Sequence, residues 1–371
     1  MHLDSGHPLA AGLTHDSRLI RAYRGDRPST TPVWFMRQAG RSLPEYRELR
    51  AGTAMLDACL TPGMASEITL QPVRRHHVDA AVFFSDIVVP LKLAGVDVEI
   101  VPGTGPVMAH PVRTNDELDA LVALDPAVLD EALAPVIEAV RLTVAQLEHI
   151  PGTPGPTPLV GFAGAPFTLA AYLIEGGPSK DHMRARALMH SDPVAWSRLM
   201  AWCADVTGRF LRAQVLAGAS AAQLFDSWAG SLALTDYSDS VAPASARTLE
   251  YVHDITYERD GQTHRVPVVH FGVGTGDLLT VMHEVGADTV GIDYRTPLDV
   301  ASERLGGAVP LQGNIDPAML FAPWSTLEEH VLDVLRRGES APAHVLNLGH
   351  GVPPDADAEV LTRLVELVHS R

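Results

Sequence analysis

The sequence predicts an α/β protein built as one (β/α)8 barrel of the TIM type, with its active-site cleft at the C-terminal ends of the strands. Three observations carry this. Eight short apolar runs recur along the 371 residues. They are continuous rather than alternating in polarity, as strands buried on both faces of a parallel sheet are. Segments of helical period lie between them, and that alternation repeated eight times is the barrel pattern. A doubly wound open sheet shares the alternation and is the main rival.

Residues 1–16 show no sustained periodicity and are expected to form a flexible tail, leaving 17–371 as a single barrel domain. The eight runs are 33–36, 80–84, 159–163, 221–225, 266–271, 289–292, 309–312 and 345–348. The gap between the second and third is too long for one crossover. Residues 90–111 are expected to supply a short hairpin there, with 96–101 as one arm. Leu129, Leu133, Val136, Ile137, Val140 and Val144 then recur at three- and four-residue steps behind Asp125-Pro126, which predicts a long helix. Ser325-x-x-Glu328 reads as a capping box ahead of Val331, Leu332 and Leu335. Val360, Leu361, Leu364, Val365 and Val368 form one face of a final helix. Residues 149–158, rich in Pro and Gly, read as a surface loop.

Hydrophobic residues make up 46% of the chain and charged residues 20%, which allows a large core and excludes global disorder. The formal charge is −17, from 45 acidic against 28 basic side chains. That field repels nucleic acid and anionic membrane surfaces, so neither is expected as a partner. A local arginine cluster can still override it for a small anion. Cys59 and Cys203 are too scattered for a disulfide framework or a CxxC metal site and are expected to be buried, inert thiols. No signal peptide or run of ~18–20 apolar residues is apparent, so a cytoplasmic location is expected.

Polar residues follow the apolar runs at the positions where barrels carry their chemistry. Phe84 leads into Ser85-Asp86, Phe225 into Asp226-Ser227, Ile292 into Asp293, Gln312 into Gly313-Asn314, and Leu348 into Gly349-His350. The first run ends in Met36-Arg37-Gln38-Ala39-Gly40-Arg41. Two arginines around a small Ala-Gly step form a compact cationic pair, and a guanidinium fork suits bidentate carboxylate binding. Arg47 and Arg50 follow. Arg47 fits a solvated helix face beside Glu45 and Glu48, whereas Arg37 directly follows an apolar strand. Gly272-x-Gly274-x-Gly276 lacks the spacing of a dinucleotide loop and reads as a βα turn.

Residues 32–41, Pro-Val-Trp-Phe-Met-Arg-Gln-Ala-Gly-Arg, resemble the N-terminal signature of the uroporphyrinogen decarboxylases. Residues 161–176, Gly-Phe-Ala-Gly-Ala-Pro-Phe-Thr-Leu-Ala-Ala-Tyr-Leu-Ile-Glu-Gly, resemble their second signature. Phe-Ser-Asp-Ile at 84–87, Gln-Leu-Phe-Asp-Ser-Trp-Ala-Gly at 223–230, Gln-Gly-Asn-Ile-Asp-Pro at 312–317 and Asn-Leu-Gly-His-Gly at 347–351 match in the family's order. Ser42 stands where many relatives place an aromatic residue, which bears on local packing.

The resemblance implies a distorted (β/α)8 barrel, a homodimer, and no metal or organic cofactor. It implies stepwise loss of CO2 from the four acetate arms of uroporphyrinogen III, giving coproporphyrinogen III in porphyrin and heme biosynthesis. It places Arg37, Gln38, Ala39, Gly40, Arg41, Arg50, Asp86, Tyr172, Ser227 and His350 around the substrate, with Asp86 and Arg37 as the catalytic pair. Asp226, Asp293 and Asp316 are then supporting or capping residues.

The chemistry fits those residue types. Decarboxylation leaves an electron pair on the acetate methylene, and a pyrrole protonated at its α-carbon accepts it. One carboxylate can accept several pyrrole N–H groups and offset the developing cation. Read from the residues alone, Asp86 suits a helix cap, Tyr172 a packed helix position, Ser227 a turn and His350 a structural role. Two rival functions share the expected fold or ligand: a zinc-dependent methyltransferase, which lacks its His/Cys ligand set here because no Cys follows residue 203, and a tetrapyrrole carrier, which would have no need of Asp86.

Overall fold

The computed structural model describes residues 1–371. Seven parallel strands follow one another around a curved sheet in strict chain order. They are β1 (Ala81–Val82), β4 (Leu159–Gly164), β5 (Ala221–Asp226), β8 (Val268–Gly272), β9 (Thr289–Gly291), β10 (Leu311–Ile315) and β11 (His344–Leu348). A doubly wound sheet would reverse direction at a switch point. This one does not, so the open-sheet rival falls. Each strand is buried on both faces, which is why its sequence reads as a mainly apolar run rather than as an alternating one.

The eighth stave is the run 33–36, reduced to a single parallel bridge between Val33 and Leu346 of β11. Side chains complete the seam. Val33 N–H donates to Asp79 Oδ2 at 2.8 Å and Met36 N–H to Asn347 Oδ1 at 2.9 Å. Gln38 accepts from Phe35 N–H at 2.9 Å and donates to the carbonyl of Ala80 at 2.9 Å. The distorted barrel is therefore closed between β11 and β1 by Asp79, Gln38 and Asn347 rather than by a full ladder. Inside it, Trp34 Nε1 donates to Tyr23 Oη, which donates to Gln312 Oε1 at 2.6 Å, so these three deeply buried side chains find partners in one another.

Helices cover the outside. The 25-residue helix Pro193–Ala217 packs on Ala242–His253 and on Pro166–Glu175. Its Gln214 bonds the N–H and the carbonyl of Phe162, pinning helix to strand. No helix is long and apolar enough to cross a membrane.

Four local expectations need correction or refinement. Residues 1–16 are not a loose tail: Leu9 is fully buried, His7 Nε2 lies 3.0 Å from the carbonyl of Val215, and Leu3 N–H bonds Thr256 O. The buried residues of this segment, Leu3, His7, Pro8, Leu9, Thr14 and His15, are irregularly spaced and half of them polar, so they create no period. The long helix is interrupted into Leu129–Ala132 and Ala134–Leu147, with Pro135 in the first turn of the second piece. The Ser325 capping box does not form. The helix Trp324–Gly338 begins earlier, and Glu328 accepts from Trp324 Nε1 at 2.8 Å instead. The hairpin expected within 90–111 is present as β2 (Val98–Val101) and β3 (Gly105–Met108), and a second one, β6 (Thr256–Arg259) with β7 (Gln262–Arg265), was not foreseen.

Candidate active site

Arg37 is where the first stave leaves the barrel wall. Its φ is +63°, a left-handed conformation that costs a non-glycine residue about 1–2 kcal/mol. The turn is tight: a Cβ on Gly40 would fall 2.9 Å from the carbonyl oxygen of Arg37. The Ala-Gly step is thus needed because the backbone folds back on itself. Arg37 is exposed, Ala39 and Gly40 half-buried, and Arg41 exposed.

Asp86 follows β1 at the same end of the barrel. Solvent still reaches it, but protein surrounds it on most sides. Burial pushes its carboxyl above the ordinary carboxylate range, opposed by the Val88 N–H and by the positive charge of Arg37. The Val88 N–H donates to Oδ1 at 3.0 Å. That bond closes a turn and does not cap the following helix, Val89–Leu93, whose N-terminus has no side-chain cap.

Tyr172 sits on the helix Pro166–Glu175. Burial raises its hydroxyl to about 12, and the charge of Asp86 adds to the rise while Arg37 opposes it. The phenol is therefore protonated at neutral pH and able to donate. Its ring lies on Trp228, centroids 3.9 Å apart, and Trp228 lies on His182, centroids 4.4 Å apart. Trp228 follows Ser227, which is half-buried just beyond β5.

His350 follows β11. Its Nδ1 accepts the N–H of Gly351 at 2.7 Å, which leaves Nε2 to carry the proton of the neutral ring. Burial lowers its pKa below 6.5, helped by the charges of Arg37 and Arg295 and opposed by Asp293. The charge of Arg37 thus bears on Asp86, Tyr172 and His350 together. Arg50 belongs to the same neighbourhood. Its guanidinium lies 5.6 Å from the Tyr46 ring, contacts Met55 Sδ at 2.7 Å, and with Asp86 acts on the Cys59 thiol, which burial pushes up. Both cysteines are buried and free.

One expected residue does not face the cleft. Gln38 is fully buried, and both ends of its amide bond the backbone across the seam. The resemblance places Gln38 around the substrate; its side chain is a structural tie. Arg47 also differs from its expected role. It donates to the carbonyls of Arg41 and Ser42, at 2.6 and 3.4 Å, bracing that loop, while Glu45 pairs with Arg75. Ser42 is buried with an unpartnered hydroxyl.

Three supporting acids lie where expected. Asp226 accepts from Thr168 Oγ1 at 3.0 Å, Asp316 from Ala318 N–H at 2.9 Å, and Asp293 from Gly274 N–H at 2.8 Å. The glycine run is a βα turn, between β8 and the helix Leu279–Glu284, with Gly274 at φ +72°. Sequence reasoning missed Trp228 and His182. The first lay inside a quoted motif; nothing in the sequence marked the second. No group of three or more His, Cys, Asp or Glu side chains is arranged to hold a metal ion.

Residues 14–371 match the family described as Uroporphyrinogen decarboxylase (URO-D). The chain belongs to the uroporphyrinogen decarboxylase family. The uroporphyrinogen decarboxylase of Leifsonia xyli subsp. xyli is 68% identical, over 99% of this chain and 98% of its own. That of an Arthrobacter species is 63% identical, over 97% and 98%. That of Tropheryma whipplei is 53% identical, over 100% and 96%. Among solved structures, a methyltransferase from Methanosarcina mazei superposes with a TM-score of 0.75 at 16% identity, covering 95% of this chain and 97% of its own. At that identity the likeness shows a shared fold and nothing of the reaction.

Proposed function

We propose that the chain removes CO2 in turn from the four acetate arms of uroporphyrinogen III, giving coproporphyrinogen III. Family membership carries the reaction. The meeting of Arg37, Asp86, Tyr172 and His350 at one end of the barrel supports the roles given below.

In each round the C–C bond to one carboxylate breaks and its electron pair moves into a pyrrole already protonated at the α-carbon. A second proton then reaches the methylene carbon, which becomes a methyl group, and the proton on the α-carbon leaves, so that the aromatic pyrrole is restored and one proton is consumed per CO2 released. Asp86 receives pyrrole N–H groups and offsets the positive ring. Its raised pKa is matched to that task, since a cation arriving beside a partly desolvated carboxylate meets little competition from water. Arg37, Arg41 and Arg50 hold carboxylate arms, Arg37 nearest the reacting one. Tyr172 and the Nε2–H of His350 donate to further arms. A second copy of the chain is the assembly expected from the resemblance.

The test is anaerobic incubation of the purified protein with uroporphyrinogen III. Four equivalents of CO2 and coproporphyrinogen III are expected. Tight binding without CO2 release would make the chain a carrier and end the enzymatic reading.

A further inference from the structure

We infer that Arg295 is a further carboxylate-binding residue of this cleft, facing Arg37 across His350. The inference rests on the polycarboxylate substrate proposed above.

The Gly349-His350-Gly351 segment is held between two chain segments that each carry an arginine. On one side the stem of Arg37 lies against Gly351, where a Cβ would fall 2.8 Å from Arg37 Cγ. On the other side the backbone of Tyr294 lies against Gly349, where a Cβ would fall 2.6 Å from Tyr294 Cα. Arg295 is the next residue, in the loop after β9 and so at the same end of the barrel as Asp86 and Ser227. The effect of its charge on His350 agrees with this placement.

Arg295 is also held ready. Its Nη1 donates to Asp293 Oδ2 at 2.5 Å, and Asp293 is only 2% exposed and further fixed by Gly274 N–H. The guanidinium lies 4.5 Å from the centre of the Tyr294 ring. One edge of the fork is therefore tied to a buried acid and one face to an aromatic ring. The side chain remains half exposed, and its other N–H groups are available to a ligand.

The substrate supplies the reason. Arg37, Arg41 and Arg50 all come from one short stretch and serve one wall. A macrocycle with carboxylates around its whole circumference presents anions to the opposite wall too. Arg295, three staves from Arg37 around the barrel and past His350, extends the cationic rim beyond that stretch.

The measurement is steady-state kinetics with uroporphyrinogen III for wild type, Arg295→Leu and Arg295→Lys, with melting temperatures alongside. Loss of one charge-assisted contact should raise KM roughly 10-fold in the leucine variant, with kcat within about twofold. Lysine should restore part of the loss, keeping the charge but not the fork. The KM of wild type should rise more steeply with added KCl than that of the leucine variant. Unchanged KM in Arg295→Leu would overturn the inference. So would a fall in kcat accompanied by a lowered melting temperature in both variants, which marks Arg295 as a brace for Asp293. Failure of wild type to release CO2 would instead remove the substrate reading, and this inference with it.

Discussion

The side chain of Arg37 runs directly over Gly351, so that a Cβ there would fall 2.8 Å from Arg37 Cγ and 3.0 Å from its Nε. The glycine is a clearance, and what it clears is the stem of a cation. Gly351→Ala should displace that cation and lower kcat/KM roughly 10- to 100-fold, because the clash is with a movable side chain that cannot both yield and stay aligned. The melting temperature should hardly change. Gly349→Ala should do the reverse and fail in stability first, since its Cβ would meet the backbone of Tyr294. Similar profiles for the two variants would refute the distinction.

Asp86→Asn should lower turnover by about 10²–10³ while making the protein more stable at pH 7. The sign follows from burial. A carboxyl whose folded pKa is raised favours its protonated form in the native state, so ionising it at neutral pH works against folding. An uncharged amide removes that opposition. Calorimetry and a CO2-release assay on one preparation read both quantities, and a destabilised variant would contradict the placement of Asp86 in a desolvated site.

Arg37→Ala should damage kcat and KM together, because its charge reaches Asp86, Tyr172 and His350. Arg47→Ala should raise KM a few-fold with kcat retained, by loosening the loop carbonyls of Arg41 and Ser42. Equal, mild effects from both would mean the arginines are a surface feature.

Acid should destabilise the fold through three histidines remote from the cleft. Burial lowers His7, His76 and His344 to about 4 each, against 6.5 when unfolded. Their contribution is complete above pH 6.5 and is lost as pH falls toward 4, because the unfolded chain takes up the protons first. Each should add about 1.4 kcal/mol per pH unit to the slope in the middle of that window. Urea melts at pH 7, 6 and 5 measure it, and His344→Asn should flatten the curve by one proton. A flat profile from pH 7 to 5 would count against the buried neutral state.

Much of the fold was legible because burial on both faces writes itself as mainly apolar runs, and all eight of them became barrel staves or the closing seam. The N-terminal segment was not, since Leu9 and His7 anchor it one side chain at a time. The β6–β7 hairpin had a signal that was passed over: Asp260-Gly261, both at positive φ, is a strong tight-turn pair, hidden between charged strands. At the site, the motif residues Arg37, Asp86, Tyr172 and His350 lie near one another at one end of the barrel. The motif could not show which way Gln38 turns: the chain bends at Arg37, with φ +63°, and the next side chain folds back to bond Phe35 N–H and Ala80 O. Arg295 carried no motif at all, being an ordinary loop residue until Gly349 is seen to lie beneath Tyr294.

The seam between β11 and β1 has a consequence for everything that happens at the mouth. A stave stitched along its full length must carry on straight, and would deliver its last residue to the outer rim. Because the first one shares only a short stretch of backbone bonds with its neighbours, around Pro32–Trp34, and is otherwise fastened by two amides and a carboxylate, it can bend at Arg37. The irregularity of the wall and the reach of the cation are one and the same feature. Repairing the ladder would give a tidier barrel and an emptier one.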